Sequence, residues 1–294
     1  MKKHSLRYKI FYGVNWFVLI AFCIMCLYPF INTLAIALNE SKDTMMGGIT
    51  LFPRKFTLEN FAFILKQEYI KFAFMVTVSR VVLVTVLSVL VLFAAAYALS
   101  KKELPGRNWM ISFLMMTMFI TPGLIPTYIL YGQLKLLNNY LVYILPCLFS
   151  FYNIVVIKSN LSTIPESVFE SAHMDGASEL TVLLKIVIPL SMPVLATISL
   201  WTAVGIWGDW TTTLYFASSN QDLYTLQYYI KLFTEQARVI REMVQQGKLL
   251  NGSAISSTAL QAAQVMITTI PIVCVYPFLQ KYFVKGVITG SVKE

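Results

Sequence analysis

Long apolar stretches alternate with short polar segments along most of the chain. In lipid, a helix satisfies all its backbone polar groups internally, and about 20 apolar residues are needed to cross a bilayer. The pattern therefore predicts an all-α, polytopic membrane protein with six transmembrane helices. They are expected near residues 10–38, 72–99, 109–130, 140–157, 188–216 and 257–284.

The basic residues between the predicted helices indicate how the chain is oriented. Lys and Arg crowd three short segments, and the positive-inside rule assigns such segments to the cytoplasm. Those residues are Lys2, Lys3, Arg7, Lys9, Lys101, Lys102, Arg107, Lys281, Lys285 and Lys293. Both termini and the loop 158–187 are therefore expected inside.

This orientation predicts three parts of the chain. Residues 1–71 would hold the first transmembrane helix and an external segment. Residues 72–284 would form a transmembrane core of five helices, with the cytoplasmic loop 158–187 and an external segment 217–256. Residues 285–294 would be a cytoplasmic tail.

Three local patterns refine the picture. Ala35-Ile36-Ala37 resembles a signal-peptidase site, but the apolar run before it is about 25 residues, much longer than a signal peptide's, so we expect a retained first helix. An interfacial helix is expected within 56–71, with Phe61, Ile64 and Leu65 on one face. An external helix is expected over 223–247, with Leu226, Ile230 and Phe233 at helical spacing and Gly247 at its end.

Composition supports the membrane class and narrows the chemistry. Apolar residues make up 57% of the chain and charged residues 13%, against about 25% charged in soluble domains. The net charge of +9 fits lipid-facing loops better than nucleic acid. Cys23 and Cys26 are interpreted as small apolar residues of one helix, since only two histidines are available for a metal site. Nucleotide-binding, zinc-protease and serine-hydrolase motifs are missing, so no catalytic or metal-binding residue is expected.

The loop between the fourth and fifth predicted helices carries the most informative pattern. Thr163 and Glu166 form a T-x-x-E capping box, and Pro165 suits a first helical turn. A short helix is expected from Ile164 to about Met174, and Gly176 would break it before a second helical piece. The residues alone allow two interpretations: a helix–glycine–helix elbow with a function, or a solvated amphipathic loop.

Resemblance to a known family favours the first interpretation. Glu170-Ser-Ala-His-Met-Asp-Gly-Ala, followed by Ile186-Val-Ile-Pro189 and Pro193, resembles the EAA motif (E-A-A-x-x-D-G-A … I-x-L-P) of binding-protein-dependent ABC importer permeases. The resemblance covers about 24 residues, with Ser171 and Ile188 replacing an alanine and a leucine of the motif.

Three further segments resemble the same family. Residues 96–101, Ala-Tyr-Ala-Leu-Ser-Lys, resemble the end of its core second helix, and residues 121–126 resemble the broken segment that follows. The tail over 276–293 is similar to maltose-type carbohydrate permeases, within the branch that serves complex oligosaccharides such as alginate or pectin fragments.

The resemblance implies a type I ABC importer permease fold with both termini cytoplasmic, in the bacterial inner membrane. It implies import of a carbohydrate by ATP-driven alternating access, with no enzyme activity and no cofactor in this chain. The implied partners are a second homologous permease, two copies of an ABC ATPase that bind ATP and Mg, and an extracytoplasmic solute-binding protein. Residues 286–294 would reach into the ATPase dimer interface.

In that family the elbow is the coupling helix, which docks in a cleft of the ATPase. Carried over by motif position, Glu170 would contact polar or basic groups of the ATPase, and Gly176 would set the elbow. The full set of expected coupling residues is Glu166, Glu170, Ser171, Ala172, Asp175, Gly176 and Ala177.

Candidate substrate-path residues lie inside the predicted helices. Arg80 and Asp209 are intramembrane charges, which are functional candidates by default, although a paired or snorkelling structural Arg is the alternative. Sugars need aromatic faces and polar groups together. The aromatic candidates are Trp201, Trp207, Trp210 and Tyr215, the last three of which would also suit an interfacial aromatic belt.

Three alternatives remain at this point. The same family could import another solute, such as a lipid precursor or osmolyte. An ion-coupled secondary transporter would need intramembrane carboxylates near the midplane, and only Asp209 is available, off-centre. The elbow argues against a non-transporting membrane scaffold.

Overall fold

Helices form the architecture of the protein throughout residues 6–245 and 257–291, which the computed structural model describes. Within those residues the only extended pairing is an isolated antiparallel bridge between Asn39 and Phe56. The helices are α1 (Leu6–Ala37), α2 (Ser41–Thr44), α3 (Glu59–Leu65), α4 (Glu68–Ser100), α5 (Arg107–Thr117), α6 (Leu124–Gln133), α7 (Phe151–Leu161), α8 (Glu166–Met174), α9 (Glu179–Val182), α10 (Ile188–Gly208), α11 (Thr211–Phe216), α12 (Leu226–Gln245) and α13 (Ser257–Ser291).

Three of the described helices are long and apolar enough to cross a membrane: Arg7–Ala37, Glu68–Ser100 and Glu179–Gly208. A fourth span is possible if Tyr140–Cys147 and Phe151–Leu161, which meet at a bend of 43°, are counted as one. The prediction of an all-α fold with several apolar helices is confirmed. The first, second and sixth expected spans each match one continuous helix over most or all of their length.

The third and fifth predicted spans are interrupted. Between α5 and α6 the backbone is not helical. Gly123 has a φ of +82°, which residues other than glycine rarely adopt. Pro122, just before it, has no N–H to continue a helix. In the fifth span α10 ends at Gly208, and α11 begins at Thr211.

The shorter predicted helices lie where they were expected, with narrower bounds. Within 56–71 the helix α3 covers Glu59–Leu65, and α4 already begins at Glu68. Within 223–247 the helix α12 covers Leu226–Gln245, and Gly247 lies outside the described residues. The predicted tail is helical as far as Ser291, and residues 292–294 lie outside the residues that the structure describes.

The chain divides into two compact units. The first comprises Met1–Ile70 and Ile230–Pro271, and the second comprises Lys71–Tyr229 and Ile272–Glu294. In the first unit, a small apolar core joins the end of α1, α3 and the first half of α13. Its buried members are Ala37, Ile64, Leu260, Ala262, Ala263 and Met266.

Asn60 holds the segment after α1 in place within the first unit. Its side-chain amide is buried and donates to the carbonyl oxygens of Ala37 and Asn39, at 2.9 Å each. Its amide oxygen accepts from the Ser41 hydroxyl at 2.8 Å. One side chain therefore satisfies backbone acceptors at the carboxyl end of α1, where a helix leaves carbonyl groups without partners.

Asp43 is the charged centre of the same segment. The Asn39 amide donates to its carboxylate at 3.0 Å, and the Arg54 guanidinium donates to it at 2.9 Å. These donors, Asn39 first, hold the pKa of Asp43 below its ordinary value. The stabilisation is therefore present above the ordinary pKa of an aspartate and is lost as pH falls through the lowered pKa.

The second unit has a larger apolar core, formed by α4, α7 and α10. The buried side chains of these helices include Leu92, Phe93, Ala96, Phe151, Ile154, Ile157, Leu195 and Ile198. Ala172 of α8, Val182 of α9 and Val187 belong to the same core, so the loop between α7 and α10 packs directly against the ends of the long helices.

We expect Asn60→Ala to lower the free energy of unfolding by about 1–3 kcal/mol, because it leaves buried carbonyl groups without a donor. Thermal unfolding of the detergent-solubilised protein measures the effect. Asn108→Ala, at an exposed asparagine, is the matched control and should leave the melting temperature nearly unchanged. Equal melting temperatures for the two variants would contradict this role for Asn60.

Candidate functional site

The loop between α7 and α10 forms the predicted helix–glycine–helix elbow, which we define as residues 166–182. Its first helix, α8, begins at Glu166 and not at Ile164, because Pro165 is extended with φ −61° and ψ 138°. The predicted capping box is wrong. No side chain caps α8, and the Thr163 hydroxyl instead donates to the Asn160 carbonyl oxygen at 2.8 Å.

Gly176 turns the chain at the end of α8. The N–H of Ala177 donates to the Ala172 carbonyl oxygen at 3.0 Å, and the N–H of Gly176 donates to that of His173 at 3.0 Å. This pair of bonds is a Schellman motif, which requires a left-handed residue at the position of the glycine. Gly176 has a φ of +76°, so the predicted role of this glycine in the local turn is confirmed.

One face of the elbow is apolar and packed. Phe169, Ala172 and Ala177 lie against the core of α4, α7 and α10. Ala172 and Ala177 occupy the two positions that commonly make an apolar contact in a Schellman motif, and both belong to this core. This packing fixes the elbow to the ends of three long helices.

The opposite face of the elbow is exposed and polar. Glu166, Glu170, Ser171 and Asp175 are exposed. Met174, a large apolar residue beside them, is 88% exposed. Of the residues predicted for coupling, Ala172 is buried and Ala177 is half-buried. The structure therefore brings the predicted residues into one elbow but divides them between a packed face and an open one.

An open groove of about 800 Å³ lies between the elbow and the end of α4. Acidic and basic side chains both line it. Among the lining residues are Tyr97, Lys101, Lys158, Phe169, Glu170 and His173. No group of three or more His, Cys, Asp or Glu side chains that could hold a metal ion occurs in the part of the chain that the structure describes.

Glu179, at the start of α9, carries contacts that the sequence did not indicate. Its carboxylate accepts from the Tyr97 hydroxyl at 2.8 Å and from the Lys101 ammonium at 3.0 Å. The His173 Nε2 atom lies 3.4 Å from its other oxygen. Tyr97 and Lys101 belong to the Ala-Tyr-Ala-Leu-Ser-Lys segment, so that resemblance was the one available signal for them.

Arg80 and Asp209, predicted as substrate-path candidates, form an ion pair with each other. The Arg80 side chain has no exposed surface, and its Nη2 atom lies 2.5 Å from an Asp209 carboxylate oxygen. The guanidinium carbon lies 4.4 Å from the centre of the Tyr143 ring. The Asp209 carboxylate also accepts from the backbone N–H groups of Thr211 and Thr212, at 3.0 and 3.1 Å.

The aromatic candidates occupy different environments. Trp201 is 47% exposed and stacks on Tyr152, and Tyr215 is 43% exposed. Trp207 is buried and packs edge-on against Phe74, whereas Trp210 is half-buried. Trp201 and Tyr215 are therefore the candidates with the largest exposed aromatic surface.

The chain matches the family described as "Binding-protein-dependent transport system inner membrane component" over residues 92–289. It is 31% identical to the polygalacturonan/rhamnogalacturonan transport system permease protein YtcP of Bacillus subtilis, over 94% of this chain and 95% of that protein. It is 30% identical to the protein LplC of Bacillus subtilis, over 90% of this chain and 88% of that protein.

A solved structure supports the same family. The crystal structure of a bacterial ABC transporter involved in the import of the acidic polysaccharide alginate contains a chain that superposes with a TM-score of 0.82 and 26% identity. The superposition covers 96% of this chain and 100% of that one. The predicted ABC importer permease fold is thereby confirmed.

Family membership also confirms the membrane location and the transport class that the sequence indicated. A component of this kind is a membrane transport subunit and not an enzyme. The chain belongs to the binding-protein-dependent transport system inner membrane components, the permease subunits of ABC transporters.

Proposed function

We propose that this chain is a permease subunit that imports an oligosaccharide, or a fragment of a polysaccharide, across the bacterial inner membrane. The observation that carries the proposal is the similarity, over nearly the whole chain, to a permease named for polygalacturonan and rhamnogalacturonan and to a chain of an alginate importer. A permease named for arabinooligosaccharides, AraQ of Halalkalibacterium halodurans, is 27% identical over 95% of this chain.

The proposed topology has six transmembrane helices with both termini in the cytoplasm. Residues 1–71 would form the first helix and an external segment, residues 72–284 the transmembrane core, and residues 285–294 the cytoplasmic tail. The broken segments α5–α6 and α10–α11 would each complete one crossing. Basic residues in the short segments Lys101–Arg107 and Lys281–Lys293 support this orientation.

The proposed partners follow from the family. A second homologous permease would complete the translocation cavity, and a solute-binding protein would deliver the sugar. Two copies of an ATPase subunit would bind ATP and Mg²⁺ outside this chain. The exposed polar face of the elbow, Glu166, Glu170, Ser171 and Asp175, would dock on the ATPase. The packed face would transmit the movement of the ATPase to α4, α7 and α10.

The proposed substrate path uses exposed aromatic side chains. Tyr215 lines a shallow cavity of about 280 Å³ together with Tyr128, and Trp201 presents an exposed ring nearby in sequence. Aromatic faces of this kind stack on the apolar faces of sugar rings. For Arg80 and Asp209 we propose a structural role instead, because the guanidinium is completely buried against its carboxylate.

A deletion of this chain in the source organism should abolish or strongly reduce uptake of labelled pectin-derived oligosaccharides, because the translocation cavity that we propose for them is incomplete without this permease. Uptake of a monosaccharide such as glucose is the control and should be unchanged. Unaltered oligosaccharide uptake, together with lost uptake of a non-sugar osmolyte, would overturn the carbohydrate assignment.

Gly176→Val should uncouple transport from ATP hydrolysis, because a β-branched residue is strained at a φ of +76° and distorts the turn of the elbow. Gly48→Val, at a φ of +75° in the first unit, imposes the same local strain elsewhere and is the matched control. In proteoliposomes that contain the whole assembly, sugar uptake per ATP should fall by a factor of about 5 or more for Gly176→Val. It should be retained for Gly48→Val.

If the two valine variants transport equally well, the elbow does not couple the ATPase to this permease. Co-purification of the ATPase with each variant separates a failure to assemble from a failure to couple.

Asp209→Asn should destabilise the protein by about 3–5 kcal/mol, because it leaves the fully buried Arg80 guanidinium without its partner charge. Arg80→Met should cost less, because the remaining Asp209 carboxylate is 19% exposed and still accepts from the N–H groups of Thr211 and Thr212. The double variant should recover much of that loss and should also recover uptake. Thermal unfolding and uptake, measured on the same preparations, test both statements. A double variant that is stable but does not transport would instead assign these side chains to the substrate path.

A further inference from the structure

Glu179 joins three separate segments through one carboxylate. Its oxygens accept from Tyr97 and Lys101 at the end of α4, and His173 of α8 lies 3.4 Å away. Glu179 itself is the first residue of α9, directly after the turn at Gly176. The second half of the elbow is therefore linked to the end of α4 by hydrogen bonds and an ion pair of the Glu179 side chain.

Lys101 extends this connection to the first half of the elbow. Its ammonium lies 5.0 Å from the centre of the Tyr97 ring and 5.8 Å from that of the Phe169 ring. A cation near an aromatic face is attracted by the ring. Because Phe169 lies on α8, Lys101 contacts both helices of the elbow.

The connection from the elbow to α10 has a different character. After the short helix α9, the backbone forms a π-helical turn over Leu183–Val187 before α10 begins at Ile188. Pro189 follows at the start of α10. Such wide turns are irregular interruptions of a helix and occur frequently at functional sites. The elbow thus has a side-chain link to α4 and an irregular backbone link to α10.

Because the ion pair between Lys101 and Glu179 is exposed, its role in positioning the elbow can be tested separately from the stability of the fold. The Lys101 and Glu179 side chains are 33% and 59% exposed. Ion pairs this accessible contribute little to stability. A variant that breaks this ion pair should therefore leave the assembly folded. It should instead weaken the coupling between the elbow and α4.

We infer that Glu179 is a positioning residue which, through Tyr97 and Lys101, passes the movement of the elbow to α4 during transport. The inference rests on the proposed coupling function of the elbow, and it adds a specific path by which movement leaves it. This path does not involve the exposed polar face that we propose to dock on the ATPase, because Glu179 contacts the end of α4 within this chain.

Glu179→Gln tests the path in the complete assembly of both permeases, ATPase and binding protein in proteoliposomes. The amide keeps the shape of the carboxylate and removes its charge. We expect the ratio of substrate-stimulated to basal ATPase activity, and sugar uptake per ATP, to fall by a factor of about 5 or more. The melting temperature and the basal ATPase activity should be unchanged.

Glu235→Gln is the matched control, since Glu235 is also a partly exposed carboxylate paired with a lysine, Lys231, at 2.8 Å. It should keep the full ratio. Charge exchange gives a second test: Lys101→Glu and Glu179→Lys should each lower the ratio, and the double variant should restore at least half of it. A double variant as poor as the single ones would overturn the inference, as would an unchanged ratio for Glu179→Gln.

These results can be told apart from failure of the proposed function. If Gly176→Val uncouples and Glu179→Gln does not, the elbow couples by another path and only the inference fails. If neither variant changes the ratio, the coupling function of the elbow fails as well.

Discussion

The buried pair of Arg80 and Asp209 is the interaction on which the second unit depends. A charge without a partner is costly inside protein surrounded by lipid, so the guanidinium of α4 needs an acceptor at its own depth. Asp209 supplies it only because α10 stops at Gly208. The same carboxylate then accepts from the first N–H groups of α11, so one side chain pairs the charge and starts the next helix.

Tyr143 extends this arrangement to a further segment. Its ring lies beside the Arg80 guanidinium, and its buried hydroxyl donates to the Leu223 carbonyl oxygen at 2.7 Å. Thr213 of α11 lies within hydrogen-bonding distance of the same hydroxyl, at 2.8 Å. The break after α10 is therefore held by side chains from four parts of the chain: Arg80, Tyr143, Asp209 and Thr213.

The sequence could predict the structural features that are determined by residues close together in the chain, such as helices and turns. Apolar runs located α1, α4 and α10, and Gly176 indicated the turn that its positive φ requires. The capping box failed because the hydroxyl of Thr163 had a nearer acceptor and Pro165 is extended. The pairing of Arg80 with Asp209 joins residues 129 apart, and that of Tyr97 with Glu179 joins residues 82 apart. A pattern of neighbouring residues cannot indicate a contact between residues so far apart in the chain.

The two polar centres of the second unit differ in a way that suits a moving protein. Separating Arg80 from Asp209 would leave a buried charge, which costs about 3–5 kcal/mol and disfavours movement at that point. The links of Glu179 are partly exposed, so water can replace each donor and the cost of rearrangement is about 1 kcal/mol or less. The elbow that we propose as the coupling joint would change its contacts in every cycle without unfolding. The weak, exposed link of Glu179 suits such a joint, and the strong, mostly buried pair suits a place where the helices must keep their register.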